Sequence, residues 1–305
     1  KNTGREETVS LQENLQENDP LQEEMQIETE KEEKEEKEDS PESAAKEQTA
    51  VSEEELDLED DIENGYFHFL RPSDGLIAAF FVPVAVLIIL FAQRGIFPFG
   101  EECFLRTDMY HQYAPFFSEF QYKLKQGGSL LYSWDIGMGV NFSALYAYYL
   151  ASPVNWLIIL CPKKFIIEFM TILIMVKTGL CGVTFTWYLD HHFEKKHFVA
   201  GVFGIFYALS GYMAAYSWNI MWLDCIFLLP LILYGLEQLV QEKKGLFYCV
   251  TLGLSILSNY YISIMICIFM VMYVIVQVIL YPPKKIKDLV ATGVRFGFYS
   301  LLAGG

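Results

Sequence analysis

The sequence has no Walker motif, no G-x-S-x-G and no H-E-x-x-H. The nucleotide loop, the serine-hydrolase elbow and the zinc-protease helix are thereby excluded. It has no C-x-x-C either. Its six cysteines (Cys103, Cys161, Cys181, Cys225, Cys249, Cys267) are scattered, mostly in apolar runs. There Cys acts as a small hydrophobe, so neither a disulfide framework nor a metal cluster is expected. No aromatic residue precedes Tyr66, and a stretch so poor in apolar bulk cannot fold a core. No secretory signal opens the chain. The first apolar run begins at Gly75, has no small-residue cleavage site behind it, and reads as a signal anchor.

What is present divides at Gly75. The whole chain carries −16, while residues 1–74 hold 7 Lys or Arg against 26 Asp or Glu, so residues 75–305 come out near +3. The acidic balance therefore belongs to the tail. Blocks such as KEEKEEKED (Lys31–Asp39) predict a disordered acidic tail over residues 1–72. Glu–Lys pairs four apart allow a transient, partner-binding helix as the alternative. The chain starts with Lys1 and ends inside the apolar run FGFYSLLAGG, so a fragment of a longer protein is expected.

From Gly75 the bilayer is the solvent. GLIAAFFVPVAVLIILFA (Gly75–Ala92) carries no charge and is long enough to cross a bilayer core at about 1.5 Å per residue. The expected fold is all-α, a polytopic transmembrane helix bundle occupying residues 73–305. Spans are expected near 75–92, 165–189, 199–217, 222–240, 246–260, 262–281 and 289–305, with an outer loop of interfacial helices at 93–163. The short joints DHHFEKKH (Asp190–His197), QEKKG (Gln241–Gly245) and PPKKIK (Pro282–Lys287) each carry a lysine pair. Such joints stay cytoplasmic. All three reach that side, with a cytoplasmic N-terminus, if 246–281 crosses twice and turns near Asn259 at the outer face. Ala144–Leu160 must then not cross, and Lys163 and Lys164 remain outside.

The outer loop holds the densest polar and aromatic sequence. Tyr110, Tyr113, Phe117, Phe120 and Leu124 recur at steps of three and four, predicting an amphipathic helix ended by Gly127–Gly128. Its aromatics are expected in the headgroup layer. Asp108 stands at its first turn, as an N-cap or as a catalytic carboxylate flanked by Arg106, Tyr110 and His111. Asp224, in SWNIMWLDCIFLLPL, is expected at the same face. A carboxylate in such apolar sequence requires a partner, as a site residue or as a structural hydrogen bond. WDIGMGVN lacks the third glycine of a phosphate loop and reads as a turn. His191 and His192 are adjacent rather than four apart, a poor metal spacing. Glu168 and Lys177 are nine apart and do not share a helix face; snorkelling or interhelical contacts are expected of them.

Five phrases, RTDMYHQYAPFF, GGSLLYSWDIGMGVNF, YYLASPVNWL, MWLDCIFLLPLI and SNYYISIMICIF, resemble the YfhO family of bacterial multispanning membrane proteins, in order and spacing, across most of residues 95–280. The resemblance implies a membrane glycosyltransferase of the GT-C type. It implies a polyprenyl-phosphate-linked sugar as donor, membrane lipid as surroundings, and a cell-envelope polymer such as lipoteichoic acid as acceptor. It also implies an acidic residue opening the first outer loop, here the single Asp108 where GT-C enzymes often show an acidic pair. Asp108 is then the expected general base. Arg106, Lys163 and Lys164 are expected at the lipid phosphate, and Tyr110, His111, Asn259 and Tyr260 complete the substrate-binding set. Asp224 is expected to orient the acceptor or help hold a divalent cation. Nucleic acid is not among the expected partners. A polytopic lipid or solute transporter, using the broken run near Asn259 as a discontinuous helix, is the alternative, and a scaffold acting through the acidic tail is a third reading.

Overall fold

The computed structural model describes residues 72–194 and 198–305. The acidic tail and the lysines Lys195 and Lys196 lie outside the described residues, as do the expectations attached to them. The described chain is a helical membrane bundle. Its helices are α1 (Pro72–Gln93), α2 (Ala114–Gln126), α3 (Phe142–Leu145), α4 (Ile166–His192), α5 (Phe198–Ala208), α6 (Gly211–Tyr216), α7 (Ile220–Gln241), α8 (Leu246–Ser258), α9 (Tyr260–Leu280) and α10 (Ile286–Gly304). Among the described residues, five segments are long and apolar enough to cross a membrane: Asp74–Gln93, Lys163–His192, Phe198–Tyr216, Ile220–Gln241 and Tyr260–Leu280.

Seven spans were expected, and two of the segments differ. The α8 helix has 13 residues, about 20 Å of rise, which falls short of a hydrocarbon core. The α10 helix carries Lys287, Asp288 and Arg295 and is too polar to qualify. The turn at Asn259 is nevertheless present. Asn259 sits in extended backbone, and its side-chain Oδ1 accepts from Ile262 N at 3.0 Å, capping α9. Along α8 the order runs against α7: Tyr248 lies at Gly235, and Ser255 lies at Cys225. Along α9 it runs with α7: Ser263 lies at Cys225, and Gln277 lies at Gln241. The run 246–281 thus folds back on itself at Asn259. Tyr188, His192 and Tyr273 all meet Glu237. The C-terminal ends of α4, α7 and α9 therefore share one end of the bundle, opposite the 93–163 loop.

Two prolines interrupt helices inside the bundle, and neighbours answer each. Pro230 in α7 frees the Ile226 carbonyl, and the Tyr207 hydroxyl donates to it at 2.8 Å. Pro83 in α1 frees the Ala79 carbonyl. Gly182 of α4 approaches that carbonyl so closely that an added Cβ would lie 2.1 Å from its oxygen. Gly204 of α5 packs on Gly182, and Gly201 on Gly75. Small residues let three helix backbones touch where bilayer hydrocarbon offers no hydrophobic drive.

The 93–163 loop is built from short, sharply turned pieces. Residues Met109–Tyr113 form one wide π-type turn leading into α2. Pro115 cannot donate to the carbonyl four residues back, which accounts for the widening. Gly127 ends α2 at φ +67°, as the Gly127–Gly128 pair predicted. The aromatic stripe differs from expectation. Tyr113, Phe117 and Phe120 are fully buried, against Phe142, Leu150 and Ile158 among others. They face the bundle rather than the headgroup layer, because the rest of the loop folds over them. A two-stranded hairpin pairs Tyr132 with Asn141 and Ser133 with Val140. Gly137 and Gly139 take positive φ in its turn, so WDIGMGVN is a turn. The run through Ala144–Leu160 is bent by 105° ahead of Pro153, so it is not a straight span. Gln121 and Lys125 of α2 hold it by donating to the Ile158 and Cys161 carbonyls.

Replacing Gly182 with Val should force α1 and α4 apart, destabilising the bundle by about 1–3 kcal/mol. Gly253→Ala, where the nearest atom to an added Cβ is 3.4 Å away, should change stability by less than about 0.5 kcal/mol. Thermal unfolding in detergent, followed by tryptophan fluorescence, checks both. An unchanged midpoint for Gly182→Val would show that the backbones are not held this closely.

Candidate functional site

The loop end of the bundle gathers three features: a cavity with two arginines at its mouth, the Asp108 carboxylate, and a ledge of aromatic rings. The cavity encloses about 780 Å³ between α1, α4 and the α5–α6 break. Its walls are apolar, with Leu87, Leu90 and Phe91 from α1, Ile174 from α4, and Leu209 and Met213 beyond. At one end stand Arg94, Glu102 and Arg106. Both guanidinium groups are exposed and engaged in no ion pair among the described residues. Arg94 was absent from the sequence-derived set. Its signal was its place directly after the first apolar run, a charge at the end of an uncharged segment.

Asp108 follows Arg106 by two residues. Thr107 between them takes φ +45°, a left-handed conformation that a β-branched residue adopts at a cost. That turn carries the chain from the cavity rim into the Met109–Tyr113 turn. Asp108 makes no side-chain cap bond, so the N-cap reading is not realised. No other hydrogen bond or ion pair engages its partly buried carboxylate among the described residues. Its neighbours are phenols. Burial, the Tyr148 phenol and then Asp108 push Tyr149 above its ordinary range. Tyr113 is pushed up chiefly by burial, with Asp108 again contributing. Tyr110 and His111 are exposed on the same turn, their rings edge to face at 5.1 Å.

From Asp108 the rings continue as a ledge. Tyr149 meets Tyr148 at 4.8 Å between centroids, and Tyr148 meets Tyr260 at 5.6 Å. Tyr261 stacks on Trp222 at 6.2 Å, and Trp222 lies 6.1 Å from Tyr216. Tyr216, Tyr260 and Tyr261 are exposed. Three buried polar atoms along this strip have no partner among the described residues: Tyr212 Oη, Asn219 Nδ2 and Trp222 Nε1. Asn259 is fully buried and donates to the Tyr148 carbonyl at 3.2 Å. It positions Tyr260 rather than presenting its own amide.

Asp224 is not part of this open surface. It is 1 % exposed. Lys177 Nζ lies 2.5 Å from its Oδ2, and Ser152 Oγ donates to its Oδ1 at 2.7 Å. Lys177 also donates to the Ile220 carbonyl. The interhelical contact expected of Lys177 is thus made, with Asp224 as its partner. Both carboxylate oxygens are engaged, so Asp224 stands in the structure as the anchor of α4, α7 and the loop bend. The cation considered for it finds no donor set: no three His, Cys, Asp or Glu side chains converge among the described residues. Lys163 and Lys164 are exposed at the start of α4 and do not line the arginine cavity. His192 meets Glu237 at the opposite end of the bundle.

A family described as bacterial membrane protein YfhO matches residues 78–305. The chain belongs to the YfhO family. It is a multi-span bacterial membrane protein of that family, and the match covers the cavity, Asp108 and the ledge together. No curated protein and no solved structure matches the chain.

In this YfhO-family chain, Lys177→Met would leave Asp224 buried without its counter-charge, at an expected cost of about 3–5 kcal/mol. The double variant Lys177→Met/Asp224→Leu should recover most of that loss, because neither charge then remains buried. Thermal midpoints of the two variants decide it. Equal losses would mean the pair does more than neutralise itself.

Proposed function

We propose that the protein is a GT-C-type glycosyltransferase, moving a sugar from a polyprenyl-phosphate donor to a cell-envelope polymer such as lipoteichoic acid. The observation that carries this reading is the unengaged Asp108 carboxylate, set between an arginine-rimmed apolar cavity and an aromatic ledge. We place the 93–163 loop on the outer face and the N-terminus in the cytoplasm. The Lys243–Lys244 and Lys284–Lys285 pairs at the opposite end of the bundle support that orientation.

The chemistry follows from the three features. The lipid chain lies in the apolar cavity, its phosphate at Arg106 and Arg94. A ring of the acceptor stacks on Tyr260 and its neighbours, with Tyr110 and His111 at the near side. An acceptor hydroxyl attacks the anomeric carbon, and its proton passes to Asp108 as general base. The bond from that carbon to the phosphate oxygen breaks, and the polyprenyl phosphate leaves with the electron pair. The guanidinium groups stabilise the charge that develops there. A cavity wall is needed because a polyprenyl chain has no aqueous alternative. Asp224 serves this reaction as a positioning residue, holding the Ser152 bend and so the Tyr148–Tyr149 wall.

The transporter reading rested on the break at Asn259 as a discontinuous span. That break joins two antiparallel helices beside the outer loop, which favours a turn over a mid-depth ion site. The test is incubation of the purified full-length protein with a panel of polyprenyl-phosphate sugars, measuring released polyprenyl phosphate. Asp108→Asn should lower the rate about a hundredfold or more. Since the side chain caps nothing, stability should change by less than about 1 kcal/mol. Arg94→Ala and Arg106→Ala should each raise KM for the donor. Near wild-type transfer by the Asn variant would remove Asp108 from the chemistry.

A further inference from the structure

A second cavity lies on another face of α4, apart from the residues assigned to the transferase reading. It is an open groove of about 440 Å³ whose lining includes Phe97, Leu160, Cys161, Phe165, Glu168 and Ile172. One carboxylate stands in this apolar wall. Glu168 Oε2 is buried and has no hydrogen-bond partner, and no ion pair engages Glu168 among the described residues. Oε1 has no partner among the described residues either and is the less buried of the two oxygens, so the carboxylate can take a donor from outside the chain through Oε1. Two ammonium groups stand beside the lining. Lys125 Nζ donates to the Cys161 carbonyl at 2.6 Å, leaving two further N–H groups. Lys164 Nζ lies 4.7 Å from the centre of the Phe165 ring. These lysines sit at the loop end of the bundle, and no carboxylate pairs with either among the described residues. A bound anion gives them a reason to be there.

We infer that this groove binds a phospholipid whose headgroup carries a primary ammonium. Its phosphate oxygens meet Lys125 and Lys164, its ammonium donates to Glu168, and its upper acyl chains cover Phe97, Leu160 and Ile172. Phosphate and ammonium are complementary to the two lysines and the one carboxylate. A choline headgroup has no N–H to give, and a glycerol headgroup has no charge to offer Glu168. The inference does not depend on the transferase reading.

The test is native mass spectrometry of the delipidated full chain in detergent, offered equimolar phosphatidylethanolamine, phosphatidylcholine, phosphatidylglycerol and undecaprenyl phosphate. Phosphatidylethanolamine should be retained about tenfold over phosphatidylcholine, the worth of a charge-assisted hydrogen bond. Glu168→Gln, eluting and melting as the parent does, should bring the two within about twofold. Lys125→Ala with Lys164→Ala should lower retention of phosphatidylethanolamine and phosphatidylglycerol alike. A series on the unaltered protein supplies an independent arm. Mono-, di- and trimethylation of the ethanolamine nitrogen should weaken retention, with the largest loss at the last N–H. Equal retention of ethanolamine and choline lipids would overturn the inference, as would selectivity that survives Glu168→Gln. Preference for phosphatidylglycerol or undecaprenyl phosphate would overturn it too, assigning the groove to an anionic lipid.

Discussion

Lys177 and Asp224 face each other where neither has water to fall back on. Each charge alone would be expensive at that depth, and together, with Ser152 and the Ile220 carbonyl, they satisfy one another. The contact joins three separate pieces of chain: α4, the start of α7 and the bend of the 93–163 loop. Ser152 reaches it because Pro153 forbids the helix from continuing, and its own backbone is driven extended. The loop is thus tied into the bundle from beneath. Everything built on that loop, including the Tyr148–Tyr149 wall beside Asp108, depends on that tie.

The arginine-rimmed cavity has a similar physical origin. Gly75, Gly182, Gly201 and Gly204 bring α1, α4 and α5 into backbone contact. The chain then breaks at Leu209–Ser210 before α6, and the helices stop filling the space between them. Tight packing below and a broken helix above leave room near the loop end. The result is an apolar cavity with Arg94 and Arg106 at its mouth. Thr107 adds the strained turn that separates Arg106, at the cavity, from Asp108, at the aromatic ledge. One short segment thereby serves two surfaces.

The bundle was readable from composition because bilayer chemistry leaves few choices. An uncharged run such as Gly75–Ala92 must be helical, since no water is present to satisfy its backbone. The turn at Asn259 was readable from polar residues in an otherwise apolar run, and the end of α2 from two glycines. The span count was not. α8 is apolar enough but too short, and α10 is long enough but carries Lys287, Asp288 and Arg295. The direction of the α2 stripe was also not readable. Periodicity reports that Tyr113, Phe117 and Phe120 share a face, and the same pattern serves lipid or protein as neighbour.

The sequence by itself determined that this is an all-α membrane protein with its polar and aromatic chemistry concentrated in one loop, because hydropathy and helical period are local properties of the chain. It also singled out Asp108, whose setting among Arg106, Tyr110 and His111 is local. Only the tertiary structure decided what Asp224 is. Its partner Lys177 lies 47 residues away, and no local pattern announces a charge pair made across helices. The tertiary structure likewise brought Arg94 beside Arg106 and left Lys163 and Lys164 outside that cavity. It also turned Asn259 inward as a brace for Tyr260. Each is a question of which surfaces meet, and that is settled by packing between segments far apart in the chain.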